Sequence, residues 1–178
     1  DPTPPMLIQT AINFAAAGKT VFAEVGTFLE AVSLNKILTL SGAGSTAGGS
    51  IITATGGTAL SMSAGTNAVT RVIAQNLRLT GSSTGVVANS YNTLDNVASV
   101  SNTTYGINLS PLTDLVVSNS QFNSNGQAGL KLSSTASASY VSFTDCEFNS
   151  NAVHGWYADA SSAVEPTFDN VSVTNTSF

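Results

Sequence analysis

Charge is what this sequence most lacks. Only 8% of its 178 residues are Asp, Glu, Lys or Arg, against an ordinary share of roughly 25%, so the polar surface has to be built from Ser, Thr and Asn. With Lys plus Arg at 5 and a net charge of -5, no basic stripe exists to neutralise a phosphate backbone or hold an anionic bilayer. Nucleic acid is therefore not an expected partner, nor is a membrane surface. Cysteine is almost absent too. Cys146 stands alone, which rules out an internal disulfide and leaves no Cys-x-x-Cys pair for a metal. No apolar run approaches the ~20 residues of a membrane span, and the apolar segment after Met6 is broken by Gln9 and Asn13. The chain opens at Asp1-Pro2 without a methionine or a basic leader, as a processed secreted chain or a trimmed one would. Low charge with abundant Ser, Thr and Asn favours a secreted, extracellular or cell-surface setting.

What is present is enough apolar residue, 42% of the chain, to give one domain over 1–178 a real core. Thr3 can cap a helix over 3–17 whose first turn tolerates Pro4 and Pro5; Leu7, Ile8, Ala11, Ile12 and Ala15 then share one face until Gly18. Such a helix is long enough to close one end of a larger body. From Lys19 onward, helical spacing gives way to short alternating runs such as "TVFAEV", "ILTLSG" and "SIITATG", punctuated by Gly and Asn. These are strands.

Internal repetition decides how the strands are arranged. Aligning "AQNLRL", "LDNVAS", "VSNSQF", "FTDCEF" and "FDNVSV" puts Asn76, Asn96, Asn119, Asp145 and Asn170 in one column, recurring every 20 to 26 residues. A second column, Gly85, Gly106, Gly129 and Gly155, follows the first four and opens the next apolar pair. A fixed order at this period means stacked units. Alternation then assigns inward positions: Ala74, Leu94, Val117, Phe143 and Phe168 before the first column, Leu77, Val97, Ser120, Cys146 and Val171 just after it, and Leu79, Ser99, Phe122, Phe148 and Val173 two positions further. After the glycine come Val86, Ile107, Leu130 and Trp156. Short strands with apolar inner positions, stacked at about 4.8 Å, describe an all-β solenoid, a parallel β-helix of about six coils over 19–178 with an asparagine ladder at one turn. Amides at that turn can bond along the stack, and Asn tolerates the left-handed backbone a sharp bend needs.

The stretch "IQTAINFAAAGKTVFAEVGTFLEAVSLNKILTLSGAGS" (Ile8 to Ser45) resembles the opening of right-handed parallel β-helix proteins of the pectin lyase-like superfamily, most closely the pectin methylesterase and periplasmic NosD type. Helix, strand, "GTFLE", strand and "LTLSGAG" run in that order, and the downstream "FNSN" coils are similar to the superfamily's generic repeats. The resemblance implies a right-handed coil. It implies little about activity, because lyases, esterases, hydrolases, phage tailspikes and adhesins share the scaffold.

In enzymes of that superfamily, chemistry sits on the outward face of the strand after the glycine column. Here that face carries Val87, Asn108, Lys131 and Tyr157, without a carboxylate or an arginine, so no acid–base pair is visible. The esterase's two aspartates and arginine are not matched, and the only arginines are Arg71 and Arg78. Asp145, Glu147 and His154 form the one titratable surface cluster. Each has a scaffold explanation: Asp145 replaces a ladder Asn, Glu147 shares an outward column with Arg78, Ala98, Gln121 and Ser172, and His154 precedes a turn glycine as Tyr105 does. No catalytic residue, metal or cofactor is assigned. The expectation is a non-catalytic structural, filament-forming or adhesive module, with a polysaccharide-binding or polysaccharide-degrading fragment as the alternative. After Asn170 the sequence "VSVTNTSF" supplies no cap, which leaves Phe168, Val171 and Val173 as an association end, through self-association or further coils.

Overall fold

The computed structural model describes residues 7–109, 112–132, 137–158, 167–169, 172–174 and 176–178, with 137–138, 167–169 and 172–173 as backbone. One helix, α1 (Ile8–Phe14), precedes the strands. The first coil holds β1 (Thr20–Phe22), β2 (Gly26–Phe28) and β3 (Val32–Leu34); the second holds β4 (Thr39–Ser41), β5 (Ser50–Ile52) and β6 (Thr58–Met62). Four coils of a longer and a shorter strand follow: β7 (Val72–Leu79) with β8 (Thr84–Ala88), β9 (Asn92–Ser99) with β10 (Tyr105–Leu109), β11 (Leu112–Ser118) with β12 (Ala128–Leu132), and β13 (Ser137–Thr144) with β14 (His154–Ala158). The last two strands are β15 (Thr167–Asp169) and β16 (Ser172–Thr174).

All pairings are parallel between successive coils. One strand per coil builds a six-stranded sheet in the order β14-β12-β10-β8-β6-β3, and the others build a ten-stranded sheet. Apart from Trp156, the inward positions read from the alternation are buried wherever the side chain is described, with Leu77, Leu94, Val117, Phe122 and Phe143 all at 0% exposure. Trp156 is half-buried and packs on this core.

The corners explain the coil. Left-handed backbone recurs at Tyr91, Asn96 and Ser101, then Asp114, Asn119 and Ser124, then Tyr140, Asp145 and Ser150, with φ between 51 and 61°. Each of these three coils thus bends sharply at three places five residues apart. Asn and Asp accept this conformation cheaply, whereas a tyrosine does so only because the flanking strands fix its backbone.

The expected ladder is hydrogen-bonded at its first step, and a longer, more buried ladder lies at another corner. In the expected column, Asn96 Nδ2 donates to Asn76 Oδ1 at 2.8 Å, but Asn119 is exposed and donates instead to Asp95 Oδ1 at 2.8 Å. The buried ladder is Ser82, Asn102, Asn125 and Asn151. Ser82 Oγ accepts the N–H of Ala54 at 2.8 Å, Asn102 Oδ1 accepts that of Ser82 at 3.2 Å, Asn125 Oδ1 that of Asn102 at 3.0 Å, and Asn151 Oδ1 that of Asn125 at 2.9 Å. The reason is burial: the inward corner strands backbone N–H groups away from water and needs side-chain acceptors, while at the outer corner the N–H of Asn119 reaches the Thr144 carbonyl at 3.0 Å and that of Asp145 the Thr174 carbonyl at 3.0 Å.

The last repeat is also registered differently. Val173 pairs with Phe143, and Ser177 bridges Glu147. The repeat unit matching "FTDCEF" is therefore "VTNTSF", five residues beyond "FDNVSV". Asn170 and Val171 lie outside the described residues, as does Thr3 with the start of the expected 3–17 helix. Of the expected association end, Phe168 and Val173 are described as backbone. The side chain that ends the described core is Phe178, which stacks on Phe148 at 5.7 Å as Phe148 stacks on Phe122 at 5.1 Å. Both "FDNVSV" and "VTNTSF" satisfy alternation; only the second continues the aromatic stack.

The helix is capped by the first coil. Glu30 accepts the N–H groups of Ile8 at 2.7 Å and Gln9 at 3.1 Å, and Lys36 Nζ donates to the carbonyls of Asn13 at 3.1 Å and Ala15 at 2.8 Å. A carboxylate at the N-terminus and an ammonium at the C-terminus both oppose the helix dipole. This gives the Glu of "GTFLE" a role: it seats the helix on the open end of the core.

Urea denaturation tests both the register and the ladder. Phe122→Ala and Phe148→Ala should each cost about 3–5 kcal/mol, as buried aromatic truncations do. Asn125→Ala should cost about 1–3 kcal/mol, because it strands the Asn102 N–H, while Asn119→Ala should stay within roughly 0.5 kcal/mol. The reverse order for the two asparagines would return the ladder to Asn119.

Candidate functional site

Of the titratable cluster read from the sequence, the structure keeps Asp145 and Glu147 together and sends His154 elsewhere. Asp145 follows β13 at an outer corner with φ 52°. Glu147 bridges Gln121 and Ser177 on the same side of the coil, and its carboxylate accepts the Asn123 amide at 2.8 Å. His154 opens β14 in the six-stranded sheet. Among the described residues no group of three His, Cys, Asp or Glu side chains could hold a metal ion. Arg71 is committed as well. It pairs with Asp114 and donates to the Asn92 carbonyl at 3.1 Å, tying three coils at one corner.

The glycine column has a steric cause. A Cβ on Gly106 would stand 2.7 Å from the Gly129 carbonyl oxygen and 2.8 Å from Asn125 Nδ2, and one on Gly129 would stand 2.8 Å from Asn151 Nδ2. The ladder amides occupy the space that a side chain would need.

That close approach fixes which residues of the six-stranded sheet turn outward. Register puts Tyr105, Ala128 and His154 in one cross-strand row and Asn108, Lys131 and Tyr157 in the next. Ala128 is small, so Tyr105 and His154 face each other across its strand, roughly 10 Å or two strand spacings apart. The gap is a pocket of about 370 Å³, lined by Tyr105, Ala128, His154, Lys131 and Tyr157 of these rows together with Gln127 and Val153, a size within the range of small-ligand sites. Lys131 Nζ lies over the Tyr105 ring, 4.9 Å from its centroid. On the far side the His154 imidazole stacks on Tyr157, with centroids 5.3 Å apart and planes 6° from parallel. Among the described residues the lining contains a lysine and a histidine but no carboxylate.

Sequence reasoning placed Lys131 and Tyr157 outward and paired Tyr105 with His154 as residues preceding a glycine, but did not join the two rows. The signal was the alanine between Tyr105 and His154, which shows its meaning only once the strands are in register. Trp156, inward from the same strand, contacts Phe143 at 5.1 Å and Phe148 at 5.5 Å and belongs to the core.

Residues 33–178 match the family model described as the right-handed beta helix region. The chain belongs to the right-handed β-helix family. Two solved structures share the coil. ORF18 of Geobacillus virus E2 superposes with a TM-score of 0.62 at 16% identity, over 95% of this chain and 44% of the viral one. A candidate glycosyl hydrolase from Parabacteroides merdae ATCC 43184 gives 0.52 at 14% identity, over 95% of this chain and 87% of its own. This β-helix therefore spans less than half the length of the viral protein. At such identities the likeness is one of fold. No curated protein matches the chain in sequence. No helix among the described residues is long and apolar enough to cross a membrane.

Cys146 is 1% exposed, and burial pushes its thiol pKa up. The folded state thus favours the protonated thiol, so this contribution to stability is complete below the unfolded value of about 8.5 and is lost as pH rises through the folded one. Native protein at pH near 8 should resist a thiol reagent and react with one equivalent once unfolded. The wild type should also lose more melting temperature than Cys146→Val on going to alkaline pH. Rapid labelling of the native state would overturn the burial argument.

Proposed function

We propose that this chain is a non-catalytic β-helix module, secreted or displayed at a cell surface, which adheres by recognising glycans at the pocket between Tyr105, Lys131, His154 and Tyr157. The observation that carries the reading is the lining itself. Two tyrosines, a lysine, a histidine and the Gln127 amide face one shallow concavity, supplying flat apolar area and polar groups of the kinds that orient a sugar ring. Among the described residues the lining has no carboxylate to act as acid, base or nucleophile in glycoside chemistry, which supports binding rather than turnover. The reading rests on these side chains and not on the fold, which serves unrelated activities.

Binding to a panel of neutral and acidic polysaccharides, followed by calorimetry and product analysis, tests this reading. Saturable binding without released product is expected, and Tyr105→Ala and Tyr157→Ala should each weaken it by about 1 kcal/mol, roughly fivefold. Depolymerisation or de-esterification by the pure protein would overturn the non-catalytic reading, and absence of binding to every polysaccharide would overturn the glycan reading.

A second role, extension along the coil axis by self-association or by further coils of the same β-helix, is favoured by Phe178. Its ring rests on Phe148 and contacts Trp156 at 5.6 Å, yet stays 65% exposed, as expected of a stack that another apolar surface extends. In sedimentation, association that grows with concentration and disappears in Phe178→Asp would support this role. A wild-type monomer at high concentration would count against it.

A further inference from the structure

We propose that Asn125 is a site of spontaneous deamidation which the fold both imposes and protects: the reaction runs when the coil is open, and a chain so modified cannot rebuild the buried ladder. Asn125-Gly126 is the one Asn-Gly pair in the sequence. Packing fixes both of its residues. The ladder needs an amide at position 125, whose Oδ1 accepts the Asn102 N–H at 3.0 Å and whose Nδ2 donates to Asn151 Oδ1 at 3.1 Å and to the Ser99 carbonyl at 3.3 Å. Position 126 needs glycine, because a Cβ there would collide with the Thr103 carbonyl. The ladder asparagines on either side are followed by Thr103 and Ala152, so the pair arises only where these two demands fall on adjacent residues.

In an unfolded chain the Gly126 nitrogen, once it has given up its proton, attacks Cγ of Asn125. The bond from Cγ to the side-chain nitrogen breaks, that nitrogen leaves as ammonia, and a five-membered succinimide remains. One water then opens either ring carbonyl, leaving aspartate or isoaspartate; the net change is amide plus water to carboxylic acid plus ammonia. Glycine favours the attack because it has no side chain to crowd the nitrogen or limit backbone rotation. The folded coil blocks each requirement. The Gly126 N–H is donated to the Asn102 carbonyl at 2.9 Å, and the Asn125 side chain is held by the ladder at 1% exposure. The product does not fit the same place. An amide both donates and accepts, whereas a carboxylate only accepts, so its second oxygen would face the Asn151 and Ser99 oxygens that now receive Nδ2, where water is too far away to help. Isoaspartate also lengthens the main chain by one carbon in a coil whose next residue already lies against Thr103. Time unfolded thereby becomes irreversible loss of refoldable chains.

The test holds the whole chain at mildly alkaline pH with and without guanidinium chloride, and maps the amide-to-acid mass shift by fragmentation mass spectrometry. In denaturant Asn125 should convert ahead of every other asparagine, including those followed by serine such as Asn123 and Asn149. Conversion in the native protein should be at least about a hundredfold slower, since a folded domain leaves only about 10⁻³ or less of its chains unfolded. On dilution, the fraction that refolds should fall in step with conversion, and the compact fraction from gel filtration should contain only unmodified Asn125. Asn125→Asp should fail to refold or melt well below the wild type. Asn67→Asp makes the same chemical change at an exposed turn, where Oδ1 only accepts the Val69 and Thr70 N–H groups, and should melt as the wild type does. Equal rates at Asn125 in native and unfolded protein would overturn the proposal. So would slower conversion there than at Asn123 or Asn149, or a wild-type melting temperature in chains carrying aspartate or isoaspartate at position 125.

Discussion

A coil that turns inward on itself must do something with the backbone N–H groups at its buried corner, and the rest of this structure follows from the solution. Ser82, Asn102, Asn125 and Asn151 each accept an N–H from the preceding coil. Asn102 and Asn125 are 2% and 1% exposed, so water cannot replace them and an unmet donor there would cost about 1–3 kcal/mol. The amides of Asn125 and Asn151 fill the space beside the short strand of the preceding coil, which admits only glycine at positions 106 and 129. The glycines let the six-stranded sheet approach the ladder, and that approach sets its outward register. The pocket rows are a consequence of a corner on the opposite side of the backbone.

The two ends of the core are treated unlike each other. At the start, a helix of only 7 residues is too short to be stable alone. It persists because Glu30 and Lys36 hold its ends and because Ile8 and Ile12 are buried against the first coil. At the other end the apolar interior becomes aromatic. Phe122, Phe148 and Phe178 stack along the axis, with Phe143 and Trp156 packed at their edges. Rings stacked in successive coils bury large areas in a fixed geometry, which makes the core hardest to extend with anything but another flat apolar surface.

The sequence disclosed the coil because period-2 alternation and a repeat of 20 to 26 residues are both local signals, and the inward columns through Phe148 are buried as that alternation requires. It misled wherever two positions satisfied one pattern. Asn119 and Asn125 both recur with their coils, but only a three-dimensional corner distinguishes the exposed amide from the buried one. Likewise "FDNVSV" and "VTNTSF" alternate equally well, and the choice between them was made by pairing with β13 and by the Phe148–Phe178 stack. Tyr105, Lys131, His154 and Tyr157 were visible as outward residues, yet their meeting depends on the register of three strands and on the small side chain of Ala128. Patterns within a strand are legible in sequence; neighbours across strands are not.

Scarcity of charge makes the charged side chains unusually traceable, and most of those described in contacts are spent on the scaffold. Glu30 and Lys36 seat the helix, Arg71 and Asp114 fasten a corner, Asp95 receives the Ser118 hydroxyl and the Asn119 amide, and Glu147 receives the Asn123 amide. Each of these lies where a serine or asparagine would leave a helix end, a corner or an outer turn less firmly bound. Lys131 fits none of those descriptions. It stands at the middle of a regular strand, on a face where threonine or serine would serve the sheet as well or better, and its ammonium is turned over a tyrosine ring rather than toward a backbone carbonyl. In a chain that forms most of its surface without charge, a lysine that no element of the fold requires is what the proposed glycan reading accounts for, since Lys131 lines the pocket in which the proposed ligand would lie.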